Sequence, residues 1–230
     1  MDGGEHEGRL DHRLRRGAGV TDLTAIDILV NPDEVTLGHA RSWNARMRES
    51  VPDGFSLDET HQPHITTLQR YVRTAELGGV YDAVQQTLNE INTDALTYQG
   101  VAIRHAGWGV AGQGLAAIVI RPSPQVIDFQ ARLLAAVTPF TESSSTSAAF
   151  VTEPGEEITQ STFDWVEGYV PGQIGEGYIP HITVGFATVE DLETIEAEPF
   201  DTFEIQPASC AVYQLGNNGT ARALLKTWPI

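Results

Sequence analysis

The sequence predicts a chain made of two copies of one strand-and-helix unit, and three observations carry that prediction. The tetrapeptide Pro-His-Ile-Thr occurs twice, as Pro63-His64-Ile65-Thr66 and as Pro180-His181-Ile182-Thr183. Each occurrence follows a β-rich run and a helical stretch and precedes another helix and strand, so the order of elements repeats along with the motif. At 230 residues, 41% of them hydrophobic, the chain is long enough to bury a substantial core.

Residues 1–21 are polar, glycine-rich and without an apolar period, which predicts a disordered N-terminal arm. The Arg13, Arg15, Arg16 cluster within it is too short to mark nucleic-acid binding. Residues 22–230 are expected to form a single domain of interleaved halves. The β-rich run 23–30 halts at Asn31-Pro32, and Asp33 is placed to cap a helix reaching about Glu49. Pro63 introduces the first motif strand. A helix from about Ala75 to Ile91 follows, with Leu77, Val80, Tyr81, Val84, Leu88 and Ile91 at helical spacing, and then a strand near 96–105.

The second series opens with a strand at 115–120, broken by Pro122 and Pro124, and continues as a helix whose apolar face carries Val126, Ile127, Phe129, Leu133, Leu134 and Val137. Before its motif this copy carries extra chain, roughly 141–177, which is polar and rich in Ser and Thr. That insertion is expected to be a lid or substrate wall, with Phe163 and Trp165, alongside Phe150 and Tyr169, offering aromatic faces for a base. The alternative is an added hairpin that only covers core. After the second motif come a short helix opened by Thr188, strands near 203–205 and 209–215, a turn at Asn217-Asn218-Gly219 and a last strand at 221–228.

Charge and composition narrow the function. Lys and Arg total 14 against 31 Asp and Glu, a formal net charge of -17, which repels duplex DNA and other long polyanions. A small phosphate can still be held by a local arginine, and Arg70, Arg73, Arg104 and Arg121 are candidates. Cys210 is the only cysteine, so an internal disulfide is excluded and a thiolate metal cluster has one sulfur to draw on. No apolar run approaches the roughly 20 residues of a membrane span, and the N-terminus lacks a secretory apolar segment, so a cytoplasmic, membrane-free protein is expected.

The motif itself suggests chemistry. Residues two apart on a strand share a face, so His64 lies beside Thr66 and His181 beside Thr183, with Ile65 and Ile182 turned the other way. If the copies face each other about a pseudo-dyad, two imidazoles and two hydroxyls converge on one cleft. Cleaving a phosphodiester with water needs a base for the attacking water, an acid for the leaving oxygen, and donors for the non-bridging oxygens. Histidine suits both proton-transfer roles, because its reference pKa of about 6.5 lets one ring be neutral while the other is charged. One strand histidine by itself is more simply a core residue; two in repeated context favour the catalytic reading.

The two motifs, with Val184-Gly185-Phe186 extending the second, resemble the paired His-hydrophobic-Ser/Thr-hydrophobic motifs of the 2H phosphoesterase superfamily, which includes 2'-5' RNA ligase-like proteins and cyclic nucleotide phosphodiesterases. The first motif departs from that pattern at its fourth position, where Thr67 stands in place of an apolar residue. The resemblance spans about Thr24 to Trp228. It implies a bilobal α+β fold with two antiparallel sheets around a central cleft, helices outside, and no metal or other cofactor. It further implies a 2',3'-cyclic nucleotide or RNA terminus as substrate, opened by hydrolysis or transfer. On it, His64 and His181 are the acid/base pair and Thr66 and Thr183 the phosphate donors. Tyr178, Phe163 and Trp165 are candidate substrate walls, although Tyr178 read alone is an ordinary half-buried aromatic. A monomer is expected.

Rival signals are weaker. Gly107-Trp108-Gly109-Val110-Ala111-Gly112 matches G-x-G-x-x-G but lies between two strands and opens no helix, so it reads as a hairpin loop. His61 and His64 have the spacing of a metal pair on an extended segment, which would make a divalent-metal phosphohydrolase. His39 and His105 belong to no motif and are expected on the surface. No G-x-S-x-G nucleophile elbow is present. The alternative from another class is a non-catalytic protein that binds a cyclic oligonucleotide or RNA end in the same cleft.

Overall fold

A computed structural model of the chain describes residues 22–58, 61–107 and 110–230. The arm expected at 1–21 and the centre of the Gly107–Gly112 loop lie outside the described residues. The first copy runs β1 (Leu23–Pro32), α1 (Glu34–Ser50), β2 (Ile65–Arg73), α2 (Leu77–Glu90) and β3 (Tyr98–Gly107). The second runs β4 (Gln113–Pro122), α3 (Pro124–Val137), a short β5 (Thr141–Glu142), α4 (Gln160–Gly172), β6 (His181–Thr188), α5 (Val189–Ala197) and β7 (Phe203–Ile205); β8 (Pro207–Leu215) and β9 (Ala221–Pro229) close the chain.

Local chemistry sets the helix starts. Asp33 accepts the Thr36 N–H ahead of α1, Ser123 accepts the Val126 N–H ahead of α3 with Pro124 in its first turn, and Thr188 accepts the Asp191 N–H ahead of α5.

The strands form two antiparallel sheets, ordered β5-β2-β1-β8-β9 and β6-β4-β3-β7. Set side by side, these orders match β2 with β6, β1 with β4 and β8 with β3. The third strand of each copy therefore leaves its own motif strand and joins the other sheet: β3 pairs with β4, and β8 with β1. Helices are exchanged too, since α1 packs on β6 and α3 on β2. The halves are interlocked rather than tethered.

Alternation places the core. Ala116, Ile118 and Ile120 of β4 and Ile182 and Val184 of β6 are buried, while Leu115, Ala117, Val119, His181 and Thr183 on the opposite face stay partly accessible. Ile26, Ile28 and Val30 of β1 join the same main core as Val126, Phe129 and Leu133 of α3.

The insertion is more structured than its composition suggests. β5 extends the first sheet along β2, and α4 packs on β2. Ala149, Phe150 and Val166 close a second apolar cluster with Ala25, Tyr71 and Leu215. A loose lid is thus replaced by a helix that covers core, because Phe150 and Tyr169 are drawn inside and Phe163 stacks edge-on to Phe150 at 5.4 Å. Among the described residues no helix is long and apolar enough to cross a membrane.

Candidate active site

Both motif strands are bulged at the same place. β2 pairs Thr66 with Leu29 and Leu68 with Ile28, so Thr67 is an extra residue; β6 pairs Thr183 with Ala117 and Gly185 with Ala116, so Val184 is extra. The polar Thr67 that breaks the motif pattern is therefore the bulge residue, the position least bound to in-out alternation. A bulge sharpens local twist and re-aims the side chains beside it, here those of His-x-Thr. The second bulge needs its glycine: Gly185 has φ +142°, and a Cβ there would meet Met47 Cβ at 3.0 Å and Asn44 Nδ2 at 3.1 Å.

Each bulge is gripped by an amide from the other copy. Asn44 of α1 donates from Nδ2 to the Val184 carbonyl (2.9 Å) and to the Phe55 carbonyl (3.0 Å), and its Oδ1 accepts the Leu57 N–H (3.1 Å). Gln130 of α3 donates from Nε2 to the Thr67 carbonyl (3.0 Å) and to the Gln173 carbonyl (2.9 Å), and its Oε1 accepts the Gly175 N–H (3.2 Å). Both amides are buried. Each therefore ties the other copy's bulge to the loop that leads into its own motif, satisfying backbone groups that the bulge leaves without ladder partners.

The histidines are held alike. His64 Nδ1 lies 2.8 Å from the Gln62 carbonyl and His181 Nδ1 2.9 Å from the Ile179 carbonyl. A carbonyl only accepts, so both Nδ1 atoms carry the proton, and Nε2 is the nitrogen left for proton transfer. His181 remains partly accessible but is surrounded by protein. That burial pushes its pKa below the ordinary histidine value, against the pull of the Ile179 carbonyl, and the charge of nearby His64 adds to the depression.

The environments then diverge. Asp27 of β1 is fully buried; its Oδ2 accepts from Thr66 Oγ1 (2.8 Å) and Gln69 Nε2 (2.9 Å) and lies 3.9 Å from His64 Nε2, while Oδ1 is buried without a hydrogen-bond partner. The matching positions beside Thr183 are Leu115 and Phe186, paired in the register that Asp27 and Gln69 occupy. Thr66, expected as a phosphate donor, already gives its hydrogen to Asp27. Tyr178, expected as a wall, is buried, and its hydroxyl donates to the Thr66 carbonyl at 2.8 Å, which braces one motif against the other.

A hollow of about 50 Å³ beside His64 is lined by Leu29, Asn31, Gln62, Tyr213, Ala221 and Arg222. Arg222, which no sequence signal singled out, is held by Glu153 of the insertion at 2.7 Å. The arginines proposed from sequence are engaged elsewhere: Arg70 with Thr141, Arg73 with Glu76 and Glu142, Arg104 with the Ile103 carbonyl and Arg121 with Gln99. Of the four insertion aromatics only Trp165 is exposed, at 40%, and it stands against Gly219, whose carbonyl accepts from Gln69. It alone keeps the wall role open. His61 stacks on Phe55, and among the described residues no three His, Cys, Asp or Glu side chains are gathered as a metal would require. His39 is exposed as expected and stacks on Phe203, but His105 is half-buried, its Nδ1 2.7 Å from Glu196.

Some of these residues had a signal in the sequence. Asp27 interrupts the apolar run Ala25-Ile26-Asp27-Ile28-Leu29, and a charge inside a buried strand needs a partner. Asn44 and Gln130 sit on the buried stripes of their helices, with Ala40 and Met47 or with Val126 and Leu133.

No family model and no curated relative matches the sequence. Among solved structures, the chain is similar to E. coli LigT complexed with 3'-AMP, at 14% identity and TM-score 0.45, covering 91% of this chain and 98% of that one. It is also similar to Kluyveromyces marxianus Usb1, at 8% identity and TM-score 0.40, covering 91% and 99%.

Proposed function

We propose that this protein is a 2H-type phosphoesterase that opens a cyclic phosphodiester, a 2',3'-cyclic nucleotide or RNA terminus, by two-histidine acid/base catalysis. The observation that supports this reading most is the equivalence of the two His-x-Thr strands: same bulge, same Nδ1 anchor, same amide grip. Duplicated core histidines would have no need to match in all of these respects.

In the reaction, one neutral imidazole takes a proton from water through Nε2 as the water oxygen bonds to phosphorus. The protonated ring gives its proton to the ribose oxygen as the P–O bond of the cycle breaks, which leaves a phosphomonoester. Each ring ends in the other's starting state, and exchange with solvent resets them. The Thr183 hydroxyl is the donor for a non-bridging oxygen, since Thr66 is committed to Asp27. Arg222 stands beside His64 as a cation for a neighbouring phosphate oxygen once Glu153 lets go, and Trp165 offers a face for a base.

The test is turnover of 2',3'-cyclic mononucleotides by the purified protein in excess EDTA. Release of a monoester, abolished in His64→Ala and His181→Ala, is the expected result. Strict dependence on added metal overturns the mechanism, and nucleotide binding without turnover favours a non-catalytic binder.

A further inference from the structure

The two motif strands share the anchors of their histidines but not the surroundings: the position of the Asp27 carboxyl is taken by Leu115 in the other half. We propose that Asp27 is a positioning residue that breaks the symmetry of the site, making His64 the general acid and leaving His181 the general base. The inference rests on the two-histidine reading above and adds to it which ring does what.

The geometry points one way. Asp27 Oδ2 is 3.9 Å from His64 Nε2, the nitrogen left over once Nδ1 is anchored on the Gln62 carbonyl. The carboxyl is fully buried, fixed by Thr66 and Gln69, and one of its oxygens has no partner at all. A carboxylate in such a place is costly unless a cation stands beside it. Arg222 is held by Glu153, and the other titratable groups that feel Asp27 are the buried Tyr169, Tyr178 and Cys210, all neutral acids whose ionisation Asp27 opposes. Among the described residues His64 is the cation on offer.

Titration follows the same logic. Burial pushes Asp27 above the ordinary carboxyl range, and the nearby His64, then the bonds from Gln69 and Thr66, pull it back. The carboxylate is therefore best tolerated when His64 is protonated. Among the described residues no carboxylate contributes to the shift of His181. Burial favours its neutral form and a charged His64 reinforces that. His181 then serves as the neutral base, and His64, 3.9 Å from the Asp27 carboxyl, as the acid.

The experiment is the pH dependence of kcat/KM for Asp27→Asn, with ring-resolved NMR titration of both histidines in the wild-type protein. In the wild type, His181 is expected to lose its proton at lower pH than His64. In Asp27→Asn the alkaline limb, which reports the acid, should move toward lower pH by about one unit, the low end of the effect of an opposite charge at this range, while the limb set by His181 stays in place. The reverse order of proton loss in the wild type overturns the proposal even if the variant does not fold. A folded Asp27→Asn protein with an unmoved alkaline limb also overturns it. Full activity in His64→Ala would instead overturn the underlying two-histidine reading.

Discussion

The two motif strands are the most instructive pair of regions in the molecule. β2 and β6 share a bulge one residue after the motif threonine, an imidazole anchored on the carbonyl two residues back, and an amide that crosses from the other half to hold the bulge carbonyl. They differ in the cross-strand pair just beyond the bulge: Asp27 of β1 with Gln69 of β2 in one half, Leu115 of β4 with Phe186 of β6 in the other. What is equal concerns geometry; what is unequal would, on the proposal above, set protonation. Hydrolysis across a phosphorus atom needs two similar groups in similar positions but in opposite proton states. A duplicated fold supplies the first requirement, and on the proposed reading the Asp27 carboxyl, which Leu115 replaces in the other half, supplies the second.

The sharpest way to break the equivalence is to delete one ring at a time. His64→Ala and His181→Ala should each lose roughly 10²–10⁴-fold in kcat/KM, the usual worth of a general acid or base. The double variant should fall little further, because both rings act on one transition state. Wild-type turnover in either single variant would end the comparison, leaving that motif as a core strand.

A smaller effect tests the inequality of the threonines. Thr183→Ala should lose about 3 kcal/mol of transition-state stabilisation, as for one lost oxyanion donor. Thr66→Ala should lose less at the pH optimum, since that hydroxyl serves Asp27. Equal losses in steady-state kinetics would restore Thr66 to the phosphate.

The crossed amides should be interchangeable in effect. Asn44→Leu and Gln130→Leu each leave buried carbonyls without a donor, at a cost of about 1–3 kcal/mol in denaturant unfolding. Each is also expected to lower kcat more than it raises KM, because the bulge that aims the other copy's histidine relaxes. A stability loss confined to one of the two would show that the clamps are not equivalent.

The smallest effect is in stability against pH. His181 is depressed in the folded protein, so the unfolded chain takes up its proton first as pH falls, and the fold loses stability from about pH 6.5 downward on that account. Asp27 is raised, so the folded protein takes up its proton first, which favours the fold over the range just above the ordinary carboxyl value. His181→Gln should therefore flatten the fall of Tm below about pH 6.5, and an unchanged slope would mean that His181 is not buried as described.

The sequence alone carried the duplication, the element order outside the insertion, the caps at Asp33 and Thr188 and the repeated histidine motif, because each of these is written locally. An apolar period, a capping side chain and a four-residue motif depend on neighbours along the chain. It also hinted at the bulge through Thr67, without saying that Val184 does the same beneath an ordinary-looking pattern. Tertiary structure decided what depends on distant partners: that β3 and β8 change sheets, that Asn44 and Gln130 reach across to the opposite motif, and that the polar insertion folds as a helix over Phe150 and Val166. It also gave the Thr66 and Tyr178 hydroxyls acceptors within the protein, since a hydroxyl takes whichever acceptor packing brings within about 3 Å, and neither the Asp27 carboxylate nor the Thr66 carbonyl is close along the chain to the hydroxyl it binds.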